Sequence, residues 1–236
     1  MASIKDDRGY HQGFAPAKST SVRMERRTRM LLSEMELTPG TRILEIGCGT
    51  GEVSHWMAEQ SPAQVVGTDL CIPFIETARR NFELPNLTYE VVDFNDPDAL
   101  SGERFDYVVG NGILHHLYHN LDGALTSIRR LLKDKGKLIF LEPNIYNPYV
   151  YFIFSYPWLR RLANLEPDEM AFSKHFISSK LAQTGFTDVT VEYRDFLLPG
   201  IPDFLIAPSI ALGAVLEKTP VLKNVSQSIF ISARRG

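Results

Sequence analysis

The segment Leu44-Glu45-Ile46-Gly47-Cys48-Gly49-Thr50-Gly51-Glu52 constrains the fold most. Arg42 to Ile46 reads as a short buried strand, and a helical pattern runs from Glu52 to about Gln60. The glycine turn between them brings backbone N–H groups close to a ligand, because glycine lacks a Cβ. The dinucleotide fingerprint is G-x-G-x-x-G, and here the third glycine comes one residue early. A phosphate P-loop also fails, since no Gly-Lys-Ser/Thr follows.

The same alternation continues along the chain. Strand patterns lie at Gln64 to Asp69, Leu87 to Val92, Phe105 to Val109 and Lys137 to Leu141. Helical patterns lie at Pro73 to Phe82 and around Leu125, Ile128, Leu131 and Leu132, the latter closed by Gly136. Continuous apolar strands separated by helices predict βαβ units and a mostly parallel sheet covered on both faces. Ser178 to Thr184 reads as a late helix, Thr187 to Arg194 as a strand, and Ser226 to Ala233 as the last strand. The reading is of one domain over residues 1–236, a length that α/β folds reach routinely.

Composition narrows the function classes. Apolar residues make up 44% and the formal charge is −3, which argues against disorder. A pI near 6.1 disfavours electrostatic nucleic-acid binding. Two cysteines, Cys48 and Cys71, do not make a disulfide scaffold, and both read as free thiols. The first residues carry Lys5, Asp6, Asp7 and Arg8 with no apolar run behind them, so no secretory signal is expected and the setting reads as cytoplasmic. The basic run Met24 to Arg29 reads as the solvated face of a helix starting near Ser19.

Three successive strand ends offer ligand groups. The glycine turn ends the first. Asp69 ends the second, 22 residues after Gly47, where a carboxylate can accept from both hydroxyls of a ribose. Asp93 and Phe94 end the third, where an acceptor and a ring could hold an adenine. All lie at the carboxyl edge of the sheet, where open α/β sheets bind ligands.

The runs ILEIGCGTGEVS, VVGTDL, VVDF, FDYVVGNGILHHL and LLKDKGKLIFLEPN, in this order, resemble the class I S-adenosylmethionine-dependent methyltransferases over about residues 20–195. The resemblance implies a Rossmann-like α/β fold with a seven-stranded, mostly parallel sheet of order 3-2-1-4-5-7-6. It implies that Glu45, Gly47, Cys48, Gly49 and Gly51 frame the methionine part of the cofactor. It implies Asp69 and Leu70 at the ribose, Asp93 and Phe94 at the adenine, and Asn111 near the sulfonium. A lid helix is implied within residues 1–36, with Tyr10, Phe14 or Arg23 closing over the cofactor.

Methyl transfer from a sulfonium asks the protein to align a nucleophile, exclude water and, for an oxygen nucleophile, remove a proton. His115 and His116 follow the fourth strand and are base candidates. Glu142 ends the fifth strand and is a second one, while Asn144 could orient the substrate. Relatives that methylate quinone precursors or RNA ends carry Glu-x-x-Glu-His here; this chain has Gly112, His115 and His116, so no metal is expected. Enzymes that methylate DNA amines carry Asn/Asp-Pro-Pro-Tyr/Phe where this chain has Gly110-Asn111-Gly112-Ile113. An RNA substrate would ask for a basic stripe, which is absent from the sequence. Glu166 to Glu169 reads as a solvated acidic turn, and His119 and His175 as exposed.

Two segments break the rhythm. Residues 145–173 form a cap insertion, with seven aromatics in the thirteen residues Tyr146 to Trp158; Tyr146, Tyr149 and Tyr151 are its substrate-binding candidates. Residues 196–221 form an apolar lid or interfacial segment, with prolines and glycines that break a membrane span. Together they point to an apolar or lipid-linked small-molecule acceptor and a peripheral membrane contact. Transfer to oxygen is the leading reading. Transfer to carbon or nitrogen, or a cofactor-binding partner protein without turnover, are the others.

Overall fold

The computed structural model describes residues 17–94, 96, 98–163, 165 and 169–236. Seven strands form one sheet: β1 (Arg42–Ile46), β2 (Gln64–Asp69), β3 (Leu87–Val91), β4 (Phe105–Asn111), β5 (Leu132–Pro143), β6 (Phe186–Arg194) and β7 (Ser228–Arg235). Their order is β3-β2-β1-β4-β5-β7-β6. The first five pair in parallel, and β7 runs antiparallel to both β5 and β6.

Successive residues of a strand point to opposite faces, and two cores follow from that rule. Leu44, Val108, Leu138, Phe140 and Ile231 belong to one. Ile43, Val109, Ile139, Leu141 and Phe230 belong to the other. Helices α1 (Lys18–Leu32), α2 (Glu52–Glu59) and α3 (Ile72–Asn81) cover the second face through Leu31, Val53, Met57 and Ile75. Helices α4 (Leu121–Leu131) and α7 (Lys174–Gln183) cover the first through Leu125, Ile128, Ile177 and Leu181. Both faces being buried, the strands can be apolar without alternation.

The helix expected to close at Gly136 ends instead at Leu131. Leu132 already pairs with Phe105, the next residues bulge outward, and Lys137 rejoins opposite Tyr107. The aromatic insertion forms two short helices, α5 (Pro148–Ser155) and α6 (Pro157–Leu162). Asn147 caps the first, its side chain accepting from Val150 N. The apolar segment forms α8 (Asp203–Leu216), followed by a 3-10 turn at Leu222–Val225. Another 3-10 turn, Leu114–Asn120, leads from β4 into α4 and carries the histidine pair.

Candidate active site

The carboxyl ends of β1, β2, β3, β4 and β5 meet at one edge. The glycine turn there needs its glycines. Gly47 has φ +67°, and a Cβ would stand 2.5 Å from the Ile113 side chain. Gly51 has φ +93°, and a Cβ would stand 2.7 Å from the Tyr89 hydroxyl and 2.8 Å from Ala78. Gly49 differs: at φ +54° its missing Cβ faces no described residue within 4 Å, so among the described residues the turn is open there. Asp69 fastens this turn to β2. Its Oδ2 accepts from Gly49 N at 2.9 Å and its Oδ1 from Cys71 N at 2.8 Å. Burial raises its pKa, and those amides pull it back down. Asp93 stands half-buried past β3, and Phe94 is buried against the first core.

Glu45 lies beneath the turn, 1% exposed, and accepts from Ser54 Oγ. Burial pushes its carboxyl up to about 8, and the charges of Glu52 and Asp69 add to that rise against the pull of the Ser54 hydrogen bond. Its place is support for the loop.

At the end of β4, Glu142 from β5 organises the next turn. Its Oε1 accepts from Ile113 N at 3.0 Å and Leu114 N at 2.8 Å. Its Oε2 accepts from His115 N at 3.3 Å and lies 2.8 Å from His115 Nδ1. Glu142 is 0% exposed, so both oxygens are committed inward. Its carboxylate sets the orientation of the imidazole through Nδ1, so the proton-accepting work falls to Nε2. The His115 and His116 rings lie 4.2 Å apart.

Helix α1 is clamped onto the same edge. The buried Arg27 donates from Nε to Asp195 Oδ2 at 2.8 Å, from Nη1 to Asn111 Oδ1 at 2.8 Å, and from Nη2 to Ser228 Oγ. Arg23 donates from Nε to Gln227 Oε1 at 3.1 Å and lies 3.3 Å from Asp195. Burial and the neighbouring Arg27 charge lower Arg23 to about 9, while both arginines hold Asp195 below the usual carboxylate range.

Residues 43–136 match the family described as Methyltransferase domain. That match covers less than half of the chain, from β1 to the start of β5. These residues form a methyltransferase domain. Lovastatin diketide synthase of Aspergillus terreus is 34% identical over 173 residues, covering 66% of this chain and 7% of that protein. Ubiquinone biosynthesis O-methyltransferase of Cereibacter sphaeroides is 39% identical over 101 residues, covering 42% of this chain and 40% of that one. The chain thus spans less than half the length of these curated relatives. The solved CurJ carbon methyltransferase superposes with TM-score 0.65 at 19% identity, over 98% of this chain and 58% of that one.

Within this methyltransferase fold several expected roles shift. Glu142 does not face a substrate, because its oxygens hold three amides and a ring nitrogen; it positions His115. Asn144 is likewise spent on structure. It is 0% exposed and donates to Asn224 O at 2.9 Å and Ser226 O at 2.8 Å. Asn111 stands at the expected strand end, but its amide joins Arg27 and, at 3.1 Å, Met24 Sδ. The basic run of α1 is not wholly solvated, since Arg27 is buried by its ion pair with Asp195. Tyr146, Tyr149 and Tyr151 are exposed on the insertion. Leu70 is half-buried after β2, and Cys48 and Cys71 are buried thiols outside any disulfide among the described residues. Tyr10 and Phe14 lie outside the described residues, as do Glu166, Pro167 and Asp168.

One site residue escaped the sequence reading. Glu169 is 2% exposed, with Oε1 3.2 Å from His116 Nδ1 and Oε2 3.8 Å from His115 Nε2. The acidic run had suggested a solvated turn, and only the return of the chain to β5 brings this carboxylate to the histidines. There the Phe172 amide bonds Pro143 O at 3.1 Å. One donor atom from each of His115, His116 and Glu169 lies within 4.8 Å of the others.

Proposed function

We propose that this chain transfers a methyl group from S-adenosylmethionine to an oxygen of a small, moderately hydrophobic acceptor. The reading rests on one juxtaposition: an open glycine turn, Asp69 and Asp93 share an edge with a base already oriented by a buried carboxylate. The residues fit the cofactor. No described residue stands within 4 Å of the Cβ that Gly49 lacks, and a carboxylate has about four lone-pair sites, more than the amides of Gly49, Leu70 and Cys71 use on Asp69. The resemblance to an O-methyltransferase at 39% identity supports oxygen as the acceptor atom.

Bound S-adenosylmethionine supplies a methyl group activated by its positive sulfur. The backbone of Gly47, Cys48, Gly49 and Gly51 would border its methionine part, Asp69 would accept from its ribose hydroxyls beside Leu70, and Asp93 and Phe94 would border its adenine. His115 is the catalytic residue: Nε2 takes the proton from the acceptor hydroxyl, while Glu142 stabilises the imidazolium through Nδ1–H. His116 and Glu169 border that proton. Tyr146 and Tyr149 flank the path of an apolar acceptor, and the acceptor's apolarity brings the protein to a membrane surface.

Calorimetric titration with S-adenosylhomocysteine tests the cofactor. Binding by the wild type, lost in Asp69→Ala, is expected. No binding to the wild type would sink the reading. Acceptors are then screened with and without detergent, and the linkage formed in the product distinguishes O-methylation from C- or N-methylation.

A further inference from the structure

The cap helices and α8 expose apolar side chains that no described residue covers. Trp158 on α6 is 60% exposed and Leu162 is 75% exposed. Phe204 on α8 is 77% exposed, with Leu212 and Val215 near 60%. Asn147 Nδ2 donates to Val225 O at 2.7 Å and Asn144 Nδ2 to Asn224 O at 2.9 Å, so the root of α5 is tied to the Leu222–Val225 turn. That turn is where the chain leaving α8 arrives, so the exposed segments spring from a common base.

We propose that this face docks on an anionic phospholipid bilayer. It deepens the proposed function and rests on that reading for one point only, that a lipid-soluble acceptor reaches the site from the membrane. The character of α8 favours lipid over a protein groove. From Phe204 to Leu216 its only polar side chain is Ser209, and the helix exposes apolar residues around most of its circumference. A protein groove would cover one stripe of a helix, whereas an acyl-headgroup boundary can surround it. Fourteen residues make a helix of about 21 Å, short of the ~30 Å hydrocarbon core. No described helix is long and apolar enough to cross a membrane, so α8 would lie in the interface. The exposed rings of α5 and α6 include tyrosines and a tryptophan, the side chains that settle at headgroup depth.

Charge selects the kind of surface. Residues 144–163 contain Arg160 and Arg161 and no carboxylate. Residues 203–225 add Lys218 and Lys223 against Asp203 and Glu217. Among the described residues of these segments the exposed charges are Arg161, Lys218 and Lys223 against Asp203, so this face is positive in a chain of net −3. Glu217 is turned inward, accepting from Asp195 N at 2.9 Å, whereas Arg161, Lys218 and Lys223 are exposed. A basic rim around aromatic and aliphatic side chains complements anionic headgroups.

Sedimentation of the full chain with sealed phosphatidylcholine vesicles, with and without phosphatidylglycerol, tests the proposal. The chain is expected to pellet with the phosphatidylglycerol vesicles and to be released by salt. Phe204→Asp with Leu212→Asp should abolish pelleting. Each cation near such a surface contributes about a fivefold factor, so Arg161→Gln with Lys223→Gln should weaken partition about 30-fold. Binding of S-adenosylhomocysteine by these variants should match the wild type, because none of the four positions belongs to the site. If the wild type binds S-adenosylhomocysteine but ignores phosphatidylglycerol, the docking fails and the methyltransferase reading stands. If it pellets without binding S-adenosylhomocysteine, the reverse holds. Equal partition onto both vesicle types overturns the anionic preference. A dimer in sedimentation velocity that Phe204→Asp dissociates overturns the lipid assignment in favour of a second copy.

Discussion

The proposed role of His115 as a base depends on Glu142 being committed elsewhere. A buried carboxylate that accepts three amides cannot turn toward a substrate, but it holds the imidazole in one orientation. His115→Gln should therefore lower turnover by about 10²- to 10⁴-fold while S-adenosylhomocysteine binding, read by calorimetry, stays intact. Glu45 makes a prediction about stability. Its folded pKa of about 8 lies above the ordinary value of 4.5, so between these pH values the folded chain holds a proton that the unfolded chain has lost. Stability from this group is present below pH 4.5 and is lost as pH rises through 8. Denaturant titration should show a fall of a few kcal/mol over that window at about 1.4 kcal/mol per pKa unit, and Glu45→Gln should flatten it. A slope that survives the substitution would assign the effect elsewhere.

At the level of elements, the clamp on α1 shows what sequence can and cannot disclose. The strands were legible because β1, β2 and β4 are short apolar runs bounded by turns, and the glycine loop marked the ligand edge. The clamp was not. Nothing local distinguishes Arg27 from Arg26 or Arg29, and its partner Asp195 lies 168 residues away. Glu169 was hidden for the same reason, since it closes an acidic run and only the pairing of Phe172 with the end of β5 brings it inward. Removing Arg27 leaves Asp195 buried beside Arg23 alone. Arg27→Ala should cost about 3–5 kcal/mol in chemical unfolding. The rim arginine Arg29, in an exposed i,i+4 pair with Glu25, should cost under about 1 kcal/mol when replaced by alanine. Equal costs would mean that α1 is not held by the clamp.

Across the whole molecule, the sheet binds early and late parts of the chain together. Strand β7 lies between β5 and β6, so β6 has no neighbour until residues 228–235 are in place. During synthesis the first five strands can assemble as they emerge, but the sheet cannot be finished until that last strand leaves the ribosome. Until then both β5 and β6 present unpaired edges, which invite pairing with other chains. Deleting residues 226–236 should give a chain recovered in the insoluble fraction, and a soluble truncated monomer would count against this. A nascent chain of this fold is thus a client for whatever shields half-made sheets, and the length of that exposure is set by how quickly translation covers the distance from β6 to β7.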